Sequence, residues 1–304
     1  MTTGAAWPAF KTEEGRTRYL AAYDAALAAW PAPYEELDVP TSFGTTHVVA
    51  SGREGAPAVV LLPSFAATAT VWRPNVEALG RLFRLYAVDV IGQPGRSLAT
   101  RRLRSRRDFA AWYGALLDEL GVGRASIVGC SFGGFLALSQ ASLTPSRVDK
   151  VVLISPAGTF VRMTLGVVLL MLSAPLRRRL RRLMGDQRAP NVQALRGMGA
   201  PPHAEDAAWR KLMSTTMSEG AKVNTINADV LSRREVRAVK APTLLLIGEL
   251  ERLYEPHAAI ATARERMPQI TAAVVPGADH IAAMAQPEAV NARILAFLAG
   301  DGGG

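Results

Sequence analysis

Short apolar runs alternate with amphipathic stretches along most of this chain. The run Ala58 to Leu62 is continuously apolar, which is typical of a strand buried on both faces of a sheet. From Thr12 to Trp30, apolar side chains recur at helical spacing and the pattern stops before Pro31, which predicts an amphipathic helix. The other predicted strands are Tyr34 to Val39, Thr45 to Ser51, Leu85 to Val90, Ala125 to Val128, Val148 to Ile154, Thr243 to Gly248 and Ile270 to Val275. The other predicted helices are Trp72 to Leu79, Asp108 to Leu120, Phe135 to Leu138, Pro256 to Met267 and Pro287 to Leu298. Asp108 is the predicted N-cap of its helix.

The order of these elements predicts an α/β fold. The first two strands are separated only by Ser42, Phe43 and Gly44, which indicates an antiparallel hairpin. The strands and helices that follow alternate, which predicts a mostly parallel, eight-stranded sheet with helices on both faces. Right-handed crossovers place the carboxyl ends of the parallel strands along one edge of this sheet, where we expect the functional site.

The alternation breaks between residues 159 and 240, where helical patterns continue without a strand-like run. We interpret this segment as a helical lid inserted after the sixth strand. The interpretation divides the chain into a first core part at residues 1–158, a lid at residues 159–240 and a second core part at residues 241–304. The lid contains Met163, Met171, Met184 and Met213. These methionines could line an apolar, adaptable pocket, but ordinary core or lid packing explains them better.

The lid contains an apolar run, Leu165 to Leu172, followed by an arginine cluster. The run is too short to span a bilayer, which needs about 20 residues. It therefore indicates either a lid helix with solvated arginines or a surface that touches a membrane or an anionic, carrier-bound acyl substrate. The arginines of this cluster are Arg177, Arg178, Arg179, Arg181 and Arg182. A second cluster comprises Arg101, Arg102, Arg104, Arg106 and Arg107.

The composition adds a basic charge and excludes several classes of protein. The 304 residues are 49% hydrophobic and carry a net charge of +9, so the chain can bury a large core and would suit an anionic partner. No nucleic-acid recognition motif accompanies the charge, so we expect no nucleic acid. Cys130 is the only cysteine, and neither metal-ligand spacing nor a phosphate-binding glycine pattern occurs, so we expect no metal and no cofactor. The first residues lack a signal-peptide pattern, which favours a cytoplasmic location.

One motif in the chain carries a clear chemical meaning. Gly129-Cys130-Ser131-Phe132-Gly133 follows a predicted strand and precedes a helix, which is the context of a nucleophile elbow. Glycines on either side allow the strand and the helix to approach each other closely at the sharp turn. The Phe132 N–H then lies at a helix N-terminus, where negative charge near Ser131 is favoured.

A serine nucleophile needs a histidine base and a carboxylate that orients the base. His280 lies in the loop after the last predicted strand, whereas His47, His203 and His257 lie in a hairpin, in the lid and at a helix start. Glu251 follows the preceding strand and is the predicted acid. Glu249, in the same loop, is the alternative acid, or else it has a structural role in that loop. Asp279 is a further acid, directly beside His280.

These residues together resemble the α/β-hydrolase family over essentially the whole chain. Ser131, Glu251 and His280 stand in the family's order of nucleophile, acid and histidine. The finer resemblance, to bacterial carboxylesterases, rests on the opening helix and on the segments Pro33 to Leu37 and Glu249 to Pro256. The segments Tyr86 to Ser97, Gly277 to His280 and Gln286 to Glu288 also resemble the family's glycine-rich turn, histidine loop and last helix.

The resemblance implies an oxyanion hole made by two backbone N–H groups, those of Phe65 and Phe132. The loop that carries Phe65 departs from the family, because Pro63-Ser64 stands where the family usually has His-Gly. Proline fixes its own φ and restricts the residue before it. We therefore expect the loop to keep its shape and the hole to survive.

Three functions are compatible with these features. The first is a serine hydrolase that cleaves a carboxylic ester, thioester or lactone of a small, substantially apolar molecule through an acyl-enzyme on Ser131. The second is an acyl transferase or cyclase of a biosynthetic pathway, which excludes water and passes the acyl group to another nucleophile. The third is a non-catalytic ligand-binding homologue. The sequence leaves the substrate and the oligomeric state open, a dimer included.

Overall fold

A computed structural model describes residues 10–164, 207–220 and 226–300. Within these ranges the chain forms one nine-stranded sheet flanked by helices. The strands are β1 (Tyr34–Thr41), β2 (Gly44–Gly52), β3 (Ala58–Leu62), β4 (Arg84–Val88), β5 (Leu98–Ala99), β6 (Ala125–Cys130), β7 (Val148–Ile154), β8 (Thr243–Gly248) and β9 (Thr271–Val275). The α-helices are α1 (Glu13–Leu27), α2 (Arg73–Gly80), α3 (Arg106–Glu119), α4 (Phe132–Leu143), α5 (Ala207–Glu219), α6 (Arg233–Ala238), α7 (Pro256–Arg266), α8 (Ala282–Ala285) and α9 (Pro287–Ala299).

The sheet has the mostly parallel arrangement that the alternating pattern predicts. Eight strands follow the order β1-β2-β4-β3-β6-β7-β8-β9, and the two-residue strand β5 pairs with β2 beside this path. Strands β1, β2 and β4 are antiparallel neighbours, while β4, β3, β6, β7, β8 and β9 run parallel. The carboxyl ends of β3, β6, β8 and β9 therefore meet at one edge of the sheet, and the loops that leave this edge hold the functional residues.

Alternating side chains of the central strands divide the core into two layers. In β6, Ile127 packs on the face covered by α3, α4, α6 and α7, and Val128 packs on the face covered by α1, α2 and α9. This follows from the period of two along a strand. Because both faces are covered, the strands read as apolar runs in the sequence.

The predicted first helix is confirmed as α1, whose residues Tyr19, Tyr23 and Leu27 are buried. Helix α5, from the predicted lid, packs against α1, and Arg18 forms an ion pair with Glu219 at 2.9 Å. The described parts of the predicted lid contain helices and one isolated β-bridge, between Phe10 and Gly220. The apolar run at 165–172, the arginine cluster at 177–182, Met171, Met184 and His203 lie outside the described residues, so the lid boundaries stay predictions.

The predicted N-cap of α3 is wrong. The sequence favours Asp108 at this position, whereas α3 begins after Ser105. The Ser105 hydroxyl accepts a hydrogen bond from the Asp108 N–H at 3.1 Å, and the Asp108 carboxylate accepts one from the Ser105 N–H at 3.0 Å. This reciprocal pair is a capping box, in which the acid stands three residues after the cap. An acid before an apolar run can therefore occupy either position.

Candidate active site

Ser131 lies in the sharp turn between β6 and α4, as the nucleophile-elbow motif predicts. Its backbone has φ 53° and ψ −115°, a conformation that non-glycine residues rarely adopt. A Cβ on Gly129 would lie 2.3 Å from the Gly133 carbonyl oxygen, and a Cβ on Gly133 would lie 2.3 Å from the Leu62 carbonyl oxygen. Both glycines are therefore required by close backbone approach, which is what allows the turn to present the serine.

The structure brings together the three predicted side chains from the loops after β6, β8 and β9. The Ser131 Oγ lies 2.8 Å from the His280 Nε2, and the His280 Nδ1 lies 2.7 Å from the Glu251 Oε2. All three residues are buried, with exposed fractions between 5% and 8%. The imidazole thus bridges a hydroxyl and a carboxylate, and burial keeps most solvent away from all three groups.

The loop after β8 holds the Glu251 carboxylate in a fixed position. Its Oε1 accepts hydrogen bonds from the N–H groups of Arg252 and Leu253, each at 2.8 Å, which leaves Oε2 for His280. Glu249, the alternative acid, accepts a hydrogen bond from the Gly277 N–H at 2.8 Å. Glu249 therefore ties the acid loop to the histidine loop, which is the structural role that the sequence left open.

The acid loop and the histidine loop approach each other closely beneath the three side chains. The Leu250 N–H donates to the Ala278 carbonyl oxygen at 2.8 Å. A Cβ on Gly248 would lie 2.3 Å from the carbonyl oxygen of Asp279. The Asp279 carboxylate accepts a hydrogen bond from the Ile281 N–H at 3.1 Å, and burial raises its pKa. Asp279 therefore shapes the histidine loop from within.

The loop after β3 contains the Phe65 N–H and forms a tight turn. The Ala67 N–H donates to the Ser64 carbonyl oxygen at 3.1 Å, and Ala66 adopts the left-handed φ of 58°. The Phe65 ring is 58% exposed and lies edge-on to the Phe132 ring at 5.8 Å. Among the described residues the Phe65 N–H has no hydrogen-bond partner, and Phe132 is the first residue of α4, where no preceding turn accepts its N–H.

Side chains from the segment after β4 hold this loop, and the sequence assigns them no role. The Gln93 Oε1 accepts a hydrogen bond from the Ala66 N–H at 2.6 Å. Asp89 accepts bonds from the N–H groups of Ala69 and Arg96, each at 2.8 Å, and burial raises its pKa. Both residues fall in the glycine-rich turn that the sequence singles out as a motif. The motif is a signal for the segment, but the contacts depend on the fold.

The Cys130 thiol lies directly before Ser131 and is also buried. Burial raises the pKa of Cys130 to about 12, while a hydrogen bond with the Ser64 side chain acts in the opposite direction. Since the thiolate is the reactive form of cysteine, this thiol is a poor nucleophile at neutral pH.

The remaining described histidines lie outside this arrangement. His47 is buried on β2, where its ring nitrogens lie 3.2 Å from Asp38 and 3.3 Å from Glu36. The His257 N–H donates to the Glu255 carboxylate at 2.9 Å, at the start of α7. Within the described ranges, no group of three or more His, Cys, Asp or Glu residues is arranged to hold a metal ion.

The described arginine cluster is partly paired. Arg101 packs over the Phe43 ring at 4.5 Å and lies 3.3 Å from Asp108. Arg106 forms an ion pair with Glu235 of α6. The other arginine cluster, at residues 177–182, lies outside the described residues. No helix that the structure describes is both long enough and apolar enough to cross a membrane.

Comparison with known proteins gives one consistent result. A model of the alpha/beta hydrolase family matches residues 59–293. The uncharacterized carboxylesterase nap of Bacillus subtilis is 33% identical over 92% of this chain and 92% of its own length, and carboxylesterase YbfK of the same species is 32% identical over 96% and 97%. Crystal structures of naproxen esterase and of carboxylesterase CesB (YbfK) from Bacillus subtilis superimpose with TM-scores of 0.78 and 0.81. Each is 30% identical and covers 95% of this chain and 99% of the relative.

Proposed function

The chain belongs to the alpha/beta hydrolase family and is a hydrolase, and from this premise we propose that it cleaves carboxylic esters through an acyl-enzyme on Ser131. The observation that carries the proposal is the continuous hydrogen-bonded line from the Ser131 Oγ through His280 to Glu251. A hydroxyl, an imidazole and a carboxylate in this order form the machinery of acyl transfer to serine.

In the proposed first step, the Ser131 Oγ attacks the ester carbonyl carbon while the His280 Nε2 takes the hydroxyl proton. The tetrahedral intermediate collapses, the bond to the alcohol oxygen breaks, and His280 returns the proton to the leaving alcohol. Water then attacks the acyl-enzyme by the same route, and the released acid regenerates the free serine. The 2.8 Å between Oγ and Nε2 supports a direct proton transfer in both halves of the reaction.

Glu251 is proposed to orient the imidazole and to stabilise the imidazolium that forms in each half-reaction. The N–H groups of Arg252 and Leu253 hold Oε1, so the carboxylate does not need to reorganise when His280 becomes charged. Such preorganisation is a large part of electrostatic catalysis.

The N–H groups of Phe65 and Phe132 are proposed to bind the oxyanion of the tetrahedral intermediate. Phe132 begins α4, where the helix dipole favours negative charge. The edge-on contact between the two phenyl rings at 5.8 Å supports the proximity of the two backbone segments. The close approach of this loop to α4, where a Cβ on Gly133 would lie 2.6 Å from the Pro63 carbonyl oxygen, supports it from a second side, although Pro63-Ser64 replaces the family's usual residues.

The substrate is proposed to be a small ester, thioester or lactone with a substantially apolar acyl or alcohol part. The exposed Phe65 ring, which lies edge-on to Phe132 at the elbow, supports apolar contacts near the reacting carbonyl. Two relatives bear the name carboxylesterase and one is called naproxen esterase, which supports the ester as the bond that is cleaved.

A fluorophosphonate probe tests the proposal, because it reacts with activated serines. We expect a stoichiometric adduct at Ser131 and hydrolysis of p-nitrophenyl esters, both lost in a folded Ser131→Ala variant. A series of acyl chain lengths then defines the apolar pocket. An unlabelled but folded wild-type protein would contradict the proposal, and labelling without hydrolysis of simple esters would instead favour acyl transfer or cyclisation.

A further inference from the structure

The turn after β3 holds Ala66 in a backbone conformation that alanine rarely adopts. Ala66 is the third residue of the turn from Ser64 to Ala67 and has φ 58°. Turns with positive φ at this position normally use glycine or asparagine, since a Cβ crowds the following carbonyl oxygen. Contacts from outside the turn must therefore hold alanine in this conformation.

Gln93 provides the contact in the middle of the turn. Its Oε1 accepts the Ala66 N–H at 2.6 Å, and its side chain is only 2% exposed. The backbone of Gln93 is itself fixed, because its N–H donates to the Val90 carbonyl oxygen at 3.1 Å across a turn in which Gly92 has φ 80°. A backbone N–H can only donate, so the carboxamide oxygen must face Ala66.

This hydrogen bond fixes the peptide plane between Phe65 and Ala66. A peptide unit is planar, so holding the Ala66 N–H sets the ψ angle of Phe65. The two ends of the loop are fixed separately. The first end lies against α4, where a Cβ on Gly133 would come within 2.6 Å of the Pro63 carbonyl oxygen, and the second is held by the bond from the Ala69 N–H to Asp89. The Phe65 N–H itself lies in the preceding peptide unit, whose Ser64 carbonyl oxygen accepts the Ala67 N–H at 3.1 Å. Holding Ala66 keeps the turn that closes this bond, and the closed turn sets the direction of the Phe65 N–H.

The other end of the same carboxamide argues against a role in stability alone. The Gln93 Nε2 is buried and has no hydrogen-bond partner among the described residues. An unpaired buried donor is costly, so a glutamine here is a poor choice for stability but a good one for holding Ala66. Gln140 on α4 offers a comparison, since it is also buried and donates to Thr144, while its Oε1 has no hydrogen-bond partner in the described part of the chain.

We propose that Gln93 is a positioning residue of the oxyanion hole, which holds the strained Ala66 so that the Phe65 N–H points at the developing oxyanion. The inference rests on the proposed function and names a residue that acts through the loop without touching the substrate. Losing an oxyanion donor outright costs about 100- to 1,000-fold in rate, and misdirecting one costs less.

Gln93→Met removes the acceptor while keeping the length of the side chain. We expect kcat for p-nitrophenyl butyrate, per fluorophosphonate-titrated site, to fall roughly 10- to 50-fold, because the donor is misaimed but not lost, while KM changes less than about twofold. Affinity for an alkylboronic acid, whose adduct with Ser131 mimics the tetrahedral intermediate, should fall in parallel. If Gln93→Met does not fold, Gln93→Asn withdraws the acceptor by one methylene and should give the same split.

Two further variants separate positioning from stability. Gln140→Met is the matched control and should leave kcat within about twofold of wild type, since it removes an equally buried carboxamide away from the loop. Ala66→Gly relieves the strain, so the double variant Ala66→Gly with Gln93→Met should recover at least about a third of the lost rate. An unchanged kcat in folded Gln93→Met, or equal losses in both Gln→Met variants, overturns the inference. Hydrolysis that persists in Ser131→Ala overturns the proposed function instead.

Discussion

The Glu251 carboxylate divides its two oxygens between two tasks. Oε1 accepts two backbone N–H groups, and Oε2 accepts the His280 Nδ1–H. An amide at this position would keep the first task and fail the second, because its NH₂ group would face Nδ1. The histidine would then carry its proton on Nε2, where it could not accept the proton of Ser131.

We therefore expect Glu251→Gln to lower kcat by about 1,000- to 10,000-fold with little change in the free energy of unfolding. Glu249→Gln is the matched control, since Glu249 lies two residues away and only accepts the Gly277 N–H. Its kcat should stay within about twofold of wild type. Steady-state hydrolysis measures kcat, and urea unfolding measures the free energy of unfolding. Comparable losses of kcat in the two variants would show that Glu251 is not the catalytic acid of the proposal.

Single residues differ in how much of their role the sequence reveals. Ser131, Glu251 and His280 are predicted together because each follows a strand, and strand ends meet at one edge of a parallel sheet. Gln93 is missed because its role depends on the φ of Ala66 and on a contact across 27 positions. Backbone conformation of a loop and long-range pairing are set by tertiary structure, which a local pattern does not encode.

At the scale of elements, glycines decide how closely β6, α4 and the neighbouring strand pack. A Cβ on Gly133 of α4 would lie 2.3 Å from the Leu62 carbonyl oxygen, whereas a Cβ on Gly114 of α3 would meet nothing within 4 Å. The same substitution should therefore have opposite effects in the two helices.

Gly133→Ala is expected to lower the free energy of unfolding by about 1–3 kcal/mol or more, because backbone must move to admit the methyl group. Gly114→Ala should raise it by about 0.5–1 kcal/mol, since alanine loses less conformational entropy in a helix. Urea denaturation of both variants at pH 7 makes the comparison. Destabilisation by Gly114→Ala would contradict the open space that the structure shows around Gly114.

Two capping boxes join helices of the same layer. Ser105 with Asp108 caps α3, Ser232 with Glu235 caps α6, and Arg106 links the two helices through Glu235. Partial burial opposes the shift, yet hydrogen bonds from Arg104 and Ser105 lower the pKa of Asp108. A lowered folded-state pKa gives stability that is present above the ordinary pKa of about 4 and is lost as the pH falls through the folded value.

Ser105→Ala should therefore cost about 1 kcal/mol of unfolding free energy at pH 7, and the cost should shrink as the pH falls below about 4, because the lowered pKa of Asp108 contributes less stability there. Ser105→Thr keeps the capping hydroxyl and should cost only a few tenths of a kcal/mol. Urea unfolding between pH 3 and pH 7 tests the sign. A gap between Ser105→Ala and wild type that is constant over this range would exclude the charged capping box as its source.

Elements also differ in what the sequence predicts of them. The buried strands are predicted well because both faces demand apolar residues, as in Val59 to Leu62. The two-residue strand β5 escapes prediction, since its pairing with β2 leaves no periodicity. The N-cap of α3 is misplaced by three residues, at Asp108 instead of Ser105, because an acid serves equally in a cap and in the first turn.

For the whole molecule, a net charge of +9 raises the local concentration of anions around the protein. We expect kcat/KM for a carboxylate-bearing ester, relative to a neutral ester of the same size, to fall roughly twofold or more between 20 and 300 mM NaCl, as screening shortens the reach of the charge. Paired stopped-flow measurements on the two esters provide the ratio. If kcat/KM for both esters responded to salt in the same way, the net charge would have no influence on substrate encounter, and the prediction would be wrong.

The hydrogen bond between Ser131 and His280 joins positions 149 residues apart along the chain, across the strands β7 and β8 that lie between β6 and β9. Such non-local pairing forms late and slowly in folding, because the chain entropy is lost before the contacts form. In the proposed mechanism, a chain whose sheet ends at β8 has Ser131 and Glu251 but lacks the base His280, so we expect partly folded or prematurely terminated chains to be inactive. The onset of fluorophosphonate labelling during refolding therefore reports when the sheet is complete. We expect this onset to come later than the recovery of the helical circular dichroism signal.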